Sequence, residues 1–102
     1  MNILKINNGK VEIRRVDSGN IVRTIGDGSA IFAEFNAAQD LVLVTNNKGK
    51  VEIRRADSGN IVRTIGDGNA TQARWMGEDI AVTTNKGKTE IRRATGNIIR
   101  TI

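Results

Sequence analysis

The segment Asn7-Asn8-Gly9-Lys10-Val11-Glu12-Ile13-Arg14-Arg15-Val16-Asp17-Ser18-Gly19-Asn20-Ile21-Val22-Arg23-Thr24-Ile25-Gly26-Asp27-Gly28 returns forty residues later, from Asn47 to Gly68. Only two of its 22 positions change: Asn8 becomes Lys48 and Val16 becomes Ala56. A looser third copy runs from Asn85 to Ile102, with Glu90-Ile91-Arg92-Arg93 and Asn97-Ile98-Ile99-Arg100-Thr101-Ile102. Self-similarity at this period marks a repeat architecture, in which each unit is one supersecondary element. The third copy is shortened only in its connections, so the regular elements are what the repeat preserves. The near-identity of the first two copies points either to recent duplication or to an engineered, repeat-built sequence.

Those elements read as β. Val51-Glu52-Ile53-Arg54 alternates apolar and polar, the period of a strand with two different faces. Leu41-Val42-Leu43-Val44-Thr45 is a continuous apolar run of strand length, which implies burial on both faces. Ile61–Ile65 and Ala30–Phe35 complete four strands per forty residues. Between them, Asp57-Ser58-Gly59-Asn60 suits a hairpin with glycine at positive φ, and Asn46-Asn47-Lys48-Gly49 and Gly66-Asp67-Gly68 supply similar turns. No segment carries helical periodicity over a helix length, so the chain is expected to be all-β.

Composition removes most catalytic chemistries. The 102 residues hold no cysteine, histidine or proline, and only three aromatics, Phe32, Phe35 and Trp75. Disulfides, thiolate zinc sites, cysteine nucleophiles, Ser-His-Asp triads and imidazole metal ligands are all excluded. The glycine turns lack the phosphate-loop pattern, and no two carboxylates converge by sequence. No enzyme, cofactor or metal is expected. No apolar run approaches the roughly 20 residues of a membrane-spanning helix, and the start lacks a signal-peptide pattern. A cytoplasmic location without membrane association is therefore the expectation. The net charge is +5.

Period, strand order and turn placement together resemble the WD-repeat β-propeller family over nearly the whole chain. That resemblance implies blades of four antiparallel strands, a (innermost) to d (outermost). It assigns residues 1–25 to a partial blade with strands b, c and d, residues 26–65 to a full blade, and residues 66–102 to another. Strands a to d fall on Ala30–Phe35, Leu41–Thr45, Lys50–Arg55 and Asn60–Ile65 in the second unit. In the third they fall on Ala70–Trp75, Ile80–Thr84, Lys88–Arg93 and Asn97–Ile102, and Asn2–Ile6 is strand b of the first. Eleven strands result. The sequence departs from the family where its Gly-His pair would stand, with Gly26-Asp27 and Gly66-Asp67, and where Trp-Asp would end strand c, with Arg14-Arg15, Arg54-Arg55 and Arg92-Arg93.

The departures suggest a substitution of charge for the family's polar cluster: Asp27 pairing with Arg54, and Asp67 with Arg92, set against ordinary solvated charges. Innermost strands would bring Glu34, Arg74 and Trp75 to the central channel, either as a ligand constellation or as charges neutralising a narrow passage. The b–c and d–a connections would share one rim, holding Lys10, Lys48, Lys50, Lys86 and Lys88. The a–b and c–d connections would share the other, holding Asp17, Asp40, Asp57, Glu78 and Asp79.

An arc of fewer than three blades leaves two apolar faces without neighbours, and propellers cover such faces by radial closure. The expectation is a partial propeller completed by homo-oligomerisation. Two chains give six blade positions, about 60° apart, and three give nine, about 40° apart. A piece of a longer propeller would carry the same pattern, and a solution mass separates the two. The expected function is a non-enzymatic self-assembling scaffold or interaction module. The alternative is a protein that binds an anionic or glycan ligand. Nucleic acid on the basic rim is disfavoured by the few aromatics and the modest charge.

Overall fold

A computed structural model describes residues 1–102 and contains only strands and turns. Eleven strands follow in order: β1 (Asn2–Asn7), β2 (Lys10–Arg15), β3 (Ile21–Ile25), β4 (Ala30–Phe35), β5 (Leu41–Asn46), β6 (Val51–Arg55), β7 (Ile61–Ile65), β8 (Ala70–Met76), β9 (Asp79–Thr84), β10 (Thr89–Arg92) and β11 (Ile98–Thr101). They form three antiparallel meanders, β1-β2-β3, β4-β5-β6-β7 and β8-β9-β10-β11. Tight turns make each strand pair with its successor, since short connections favour antiparallel neighbours. Several strands begin or end one residue away from the sequence reading. The four-stranded units also carry bulges at Ile31 and Thr71, and every c–d pair shifts register next to its strand-c arginine. Such one-residue slips leave no mark in an alternating pattern.

The core lies between the sheets. Val11, Ile13 and Ile25 of the first sheet meet Ala30, Val42 and Val44 of the second. On the opposite face of the second sheet, Leu43, Val51, Ile53 and Ile65 meet Ala70, Ala73, Ile80 and Val82 of the third. Period-2 alternation thus sends Val42 and Val44 one way and Leu43 the other, and β5 is buried along nearly its whole length. The central sheet is a layer between two layers.

Backbone contacts fix the spacing between sheets. The Ala30 amide donates to the Gly9 carbonyl at 2.9 Å, and the Ala70 amide donates to the Gly49 carbonyl at 3.0 Å. A Cβ on Gly9 or Gly49 would collide with the carbonyl of Gly28 or Gly68 in the following loop. Glycine is required there by close approach of backbone as well as by positive φ.

Candidate functional site

The chemistry of this chain sits at its sheet junctions. Opposite residues of an antiparallel pair share a face, and Arg14, Arg54 and Arg92 stand opposite Ile3, Val42 and Ile80. Arg54 therefore faces the first sheet and Arg92 the second, while Arg14 lies on the uncovered face of the first. Each arginine reaches the glutamate two residues earlier on its own strand. The Nε–Oε1 distance is 2.9 Å for Arg14–Glu12, Arg54–Glu52 and Arg92–Glu90. Each also donates from Nη1 to a carbonyl of its own c–d hairpin, Gly19 at 2.6 Å, Gly59 at 2.7 Å and Gly96 at 2.6 Å. The side chains of Arg14, Arg54 and Arg92 are 27%, 12% and 8% exposed, in step with how much sheet covers them.

The glutamate partner differs from the aspartates considered from sequence. Arg92 does approach Asp67, at 3.5 Å, but its shorter contact is Glu90. Arg54 forms its ion pair with Glu52, and Asp27 forms none with it. Asp27 turns back on its own loop and accepts from the Ser29 hydroxyl and, at 3.1 Å, from the Ser29 amide. Those two bonds hold its carboxyl below the usual carboxylate range, with a smaller push from the Arg54 charge. The bond from Arg14 likewise lowers Glu12. The signal for the glutamates was available: Glu-Ile-Arg recurs unchanged in all three units, and residues i and i+2 share one strand face.

Glu34, Arg74 and Trp75 meet across the junction of the innermost strands β4 and β8. Arg74 Nη2 lies 2.9 Å from Glu34 Oε2, and the Trp75 amide donates to Glu34 Oε1 at 2.7 Å. The indole Nε1 donates to the Glu34 carbonyl at 3.1 Å, and the Arg74 guanidinium sits 5.8 Å from the Phe32 ring centre. Both N–H groups of Trp75 are thereby occupied by Glu34, and the set joins two sheets.

The five lysines Lys10, Lys48, Lys50, Lys86 and Lys88 are all exposed. They flank the turns after β1, β5 and β9, beside the loops that hold Asp27 and Asp67. At the opposite rim, a cleft of about 630 Å³ is lined by Leu41, Trp75 and Ala94 together with Glu78 and Asp79. No group of carboxylates is arranged to hold a metal ion.

Three sheets of this kind, stacked face to face, are also found in known structures. The chain is similar to the crystal structure of BamB from Moraxella catarrhalis, with a TM-score of 0.73 and 21% identity over 92% of this chain and 29% of that one. It is similar to a chain in the crystal structure of a mitotic checkpoint complex, with a TM-score of 0.75 and 16% identity over 100% of this chain and 36% of that one. Both are β-propeller structures. This fold is a β-propeller segment. The sheets are blades, and the chain spans about a third of the length of the propeller chains it matches. No family model matches the sequence, and no curated protein matches it.

Two blade faces in the segment have no neighbour. On the outer face of the third blade, Ala81, Thr83 and Ile91 are half-buried, whereas Leu43, Thr45 and Ile53 at the same places in the second blade are buried. On the outer face of the first blade, Ile3 and Lys5 occupy the places of Val42 and Val44, and both are exposed.

Proposed function

We propose that this chain is a non-enzymatic propeller scaffold whose open faces are covered by copies of itself, giving a ring that presents its rims and loops to partners. One observation carries the reading: the outer face of the third blade has the same layout as a face that is a buried junction inside the same chain, with Ala81 for Leu43 and Thr89 for Val51. Thr89, Ile91 and Ile102 stand where Val51, Ile53 and Ile65 stand, and the matching first-blade strands are present at the other end. Head-to-tail contact between these ends is heterologous, so it closes when the blade rotation divides the circle. Two copies supply six blade positions and three supply nine.

The physics also sets the strength of such a junction. Its first-blade side has no innermost strand, so it lacks a counterpart of the Glu34–Trp75 contacts. Lys5 replaces Val44, and Thr89 replaces Val51, which lowers the apolar area available for burial. Association is therefore weaker than the internal junctions and depends on protein concentration. Sedimentation velocity across a concentration series tests this. The expected result is a rise toward two or three times the chain mass, and a monomer with cooperative unfolding at every concentration overturns it.

A further inference from the structure

At both internal junctions the c–d hairpin of one blade lies over the last isoleucine of the blade before it. A Cβ built on Gly59 would stand 2.9 Å from Cγ2 and 3.2 Å from Cβ of Ile25, and one on Gly96 would stand 3.4 Å from Cγ2 of Ile65. Ile25 and Ile65 are each 3% exposed. Both halves of this contact recur without a partner at the two ends. The hairpin Asp17-Ser18-Gly19-Asn20 is identical to Asp57-Ser58-Gly59-Asn60, yet nothing lies within 4 Å of a Cβ on Gly19. Ile102 occupies the place of Ile65, yet it is 74% exposed. It is not a frayed residue: its amide donates to the Thr89 carbonyl at 2.8 Å, and its carbonyl accepts from the Thr89 amide at 3.1 Å.

We infer that the Asp17–Asn20 hairpin of one copy seats on Ile102 of another, as a head-to-tail latch. This rests on the self-association proposed above and names the groups that make it. The hairpin is ready to dock. Its Gly19 amide donates to the Arg15 carbonyl at 2.9 Å, and the Gly19 carbonyl accepts from Arg14, itself held by Glu12. A loop braced before contact loses little freedom on binding, which favours affinity. The glycine is needed for two reasons: a φ of 74° and passage of the hairpin backbone over the isoleucine.

The latch is tested with Gly19→Asn and Ile102→Asp. Asparagine tolerates the left-handed region, and the space around Gly19 is open, so the single chain keeps its fold, checked by circular dichroism. Each variant alone is expected to lose at least about tenfold in association constant, read by sedimentation velocity (about 1.4 kcal/mol). An equimolar mixture is expected to regain association, because Gly19 of the Ile102→Asp copy meets Ile102 of the Gly19→Asn copy. Variants that each self-associate as strongly as the wild-type chain overturn the latch while leaving self-association standing. Wild-type chains that stay monomeric overturn both. Variants that associate weakly alone and no better when mixed also overturn the latch, since a head-to-tail contact requires complementation.

Discussion

Thr45→Val is expected to stabilise the chain. Thr45 is fully buried in the junction of the second and third blades, and its hydroxyl has no hydrogen-bond partner. It stands opposite Val51, on the face packed against the third blade. A buried hydroxyl left unpaired costs about 1–3 kcal/mol relative to one solvated or bonded. Valine keeps the β-branched shape, and with it the rotamer restriction a strand favours, while replacing the hydroxyl with a methyl. The repeat itself offers a comparison, since Ile6 holds this place in the first blade. A gain of about 1–2 kcal/mol is expected, and for a domain of this size each kcal/mol raises Tm by about 4–8 °C. Thermal unfolding should be followed by circular dichroism and by Trp75 fluorescence, which reports the same junction, in the Ile102→Asp background to keep association constant. Thr83→Val, at the half-buried matching place in the third blade, should gain less. An unchanged or lowered Tm for Thr45→Val would refute the claim that the hydroxyl is an uncompensated cost.

Arg54→Ala strands the carboxylate of Glu52 in a covered junction and should cost about 3–5 kcal/mol in urea unfolding. Arg14→Ala, on the uncovered face, should cost markedly less, and equal losses would contradict the burial order. Glu34→Gln keeps an acceptor for the Trp75 amide but loses the charge toward Arg74, an exposed partner. It should cost under about 1 kcal/mol, whereas Glu34→Ala should cost more and shift Trp75 emission. Because the folded-state pKa of Glu12 lies below its unfolded value, its contribution is complete above the ordinary carboxylate range and disappears as pH falls through the folded pKa. Glu12→Gln should therefore lower the urea midpoint at pH 7, and its difference from wild type should shrink on acidification to pH 3.

The strands were legible because turn chemistry and alternation agree in this chain. Gly19, Gly59 and Gly96 all take positive φ in the c–d connections where the sequence asks for it, and Leu41–Val44 reads as a strand buried on both sides. What escaped was side-chain pairing. The aspartates of the d–a loops stand where the resembled family keeps a histidine, which points to pairing across a loop. Arg54 instead pairs along its own strand face with Glu52, and Arg92 with Glu90 ahead of Asp67. Glu34 and Arg74 were legible as matched positions of adjacent blades. That they bond to one another follows only from how β4 and β8 pack, and period 2 is blind to the packing of one sheet on the next.

Two kinds of contact, with different consequences, hold the junctions. The glutamate–arginine pair, the glycine hairpin and the isoleucine that ends the unit recur in every unit, and the isoleucine is buried wherever the next hairpin covers it. The contacts of Glu34 with Arg74 and Trp75 occur once, because only the second and third blades have an inner strand, and there Arg74 stands where Glu34 stands in the blade before. Nearly identical repeats would otherwise pair in any order, and a charge placed on one inner strand and its complement on the next penalises the wrong neighbour. Exchanging the pair, Glu34→Arg with Arg74→Glu, keeps both charges but takes the carboxylate from the Trp75 amide. If the pair sets blade order beyond simple charge attraction, the exchange should lower stability by more than Arg74→Ala does, and a swap that restores wild-type stability would reduce the contact to charge alone.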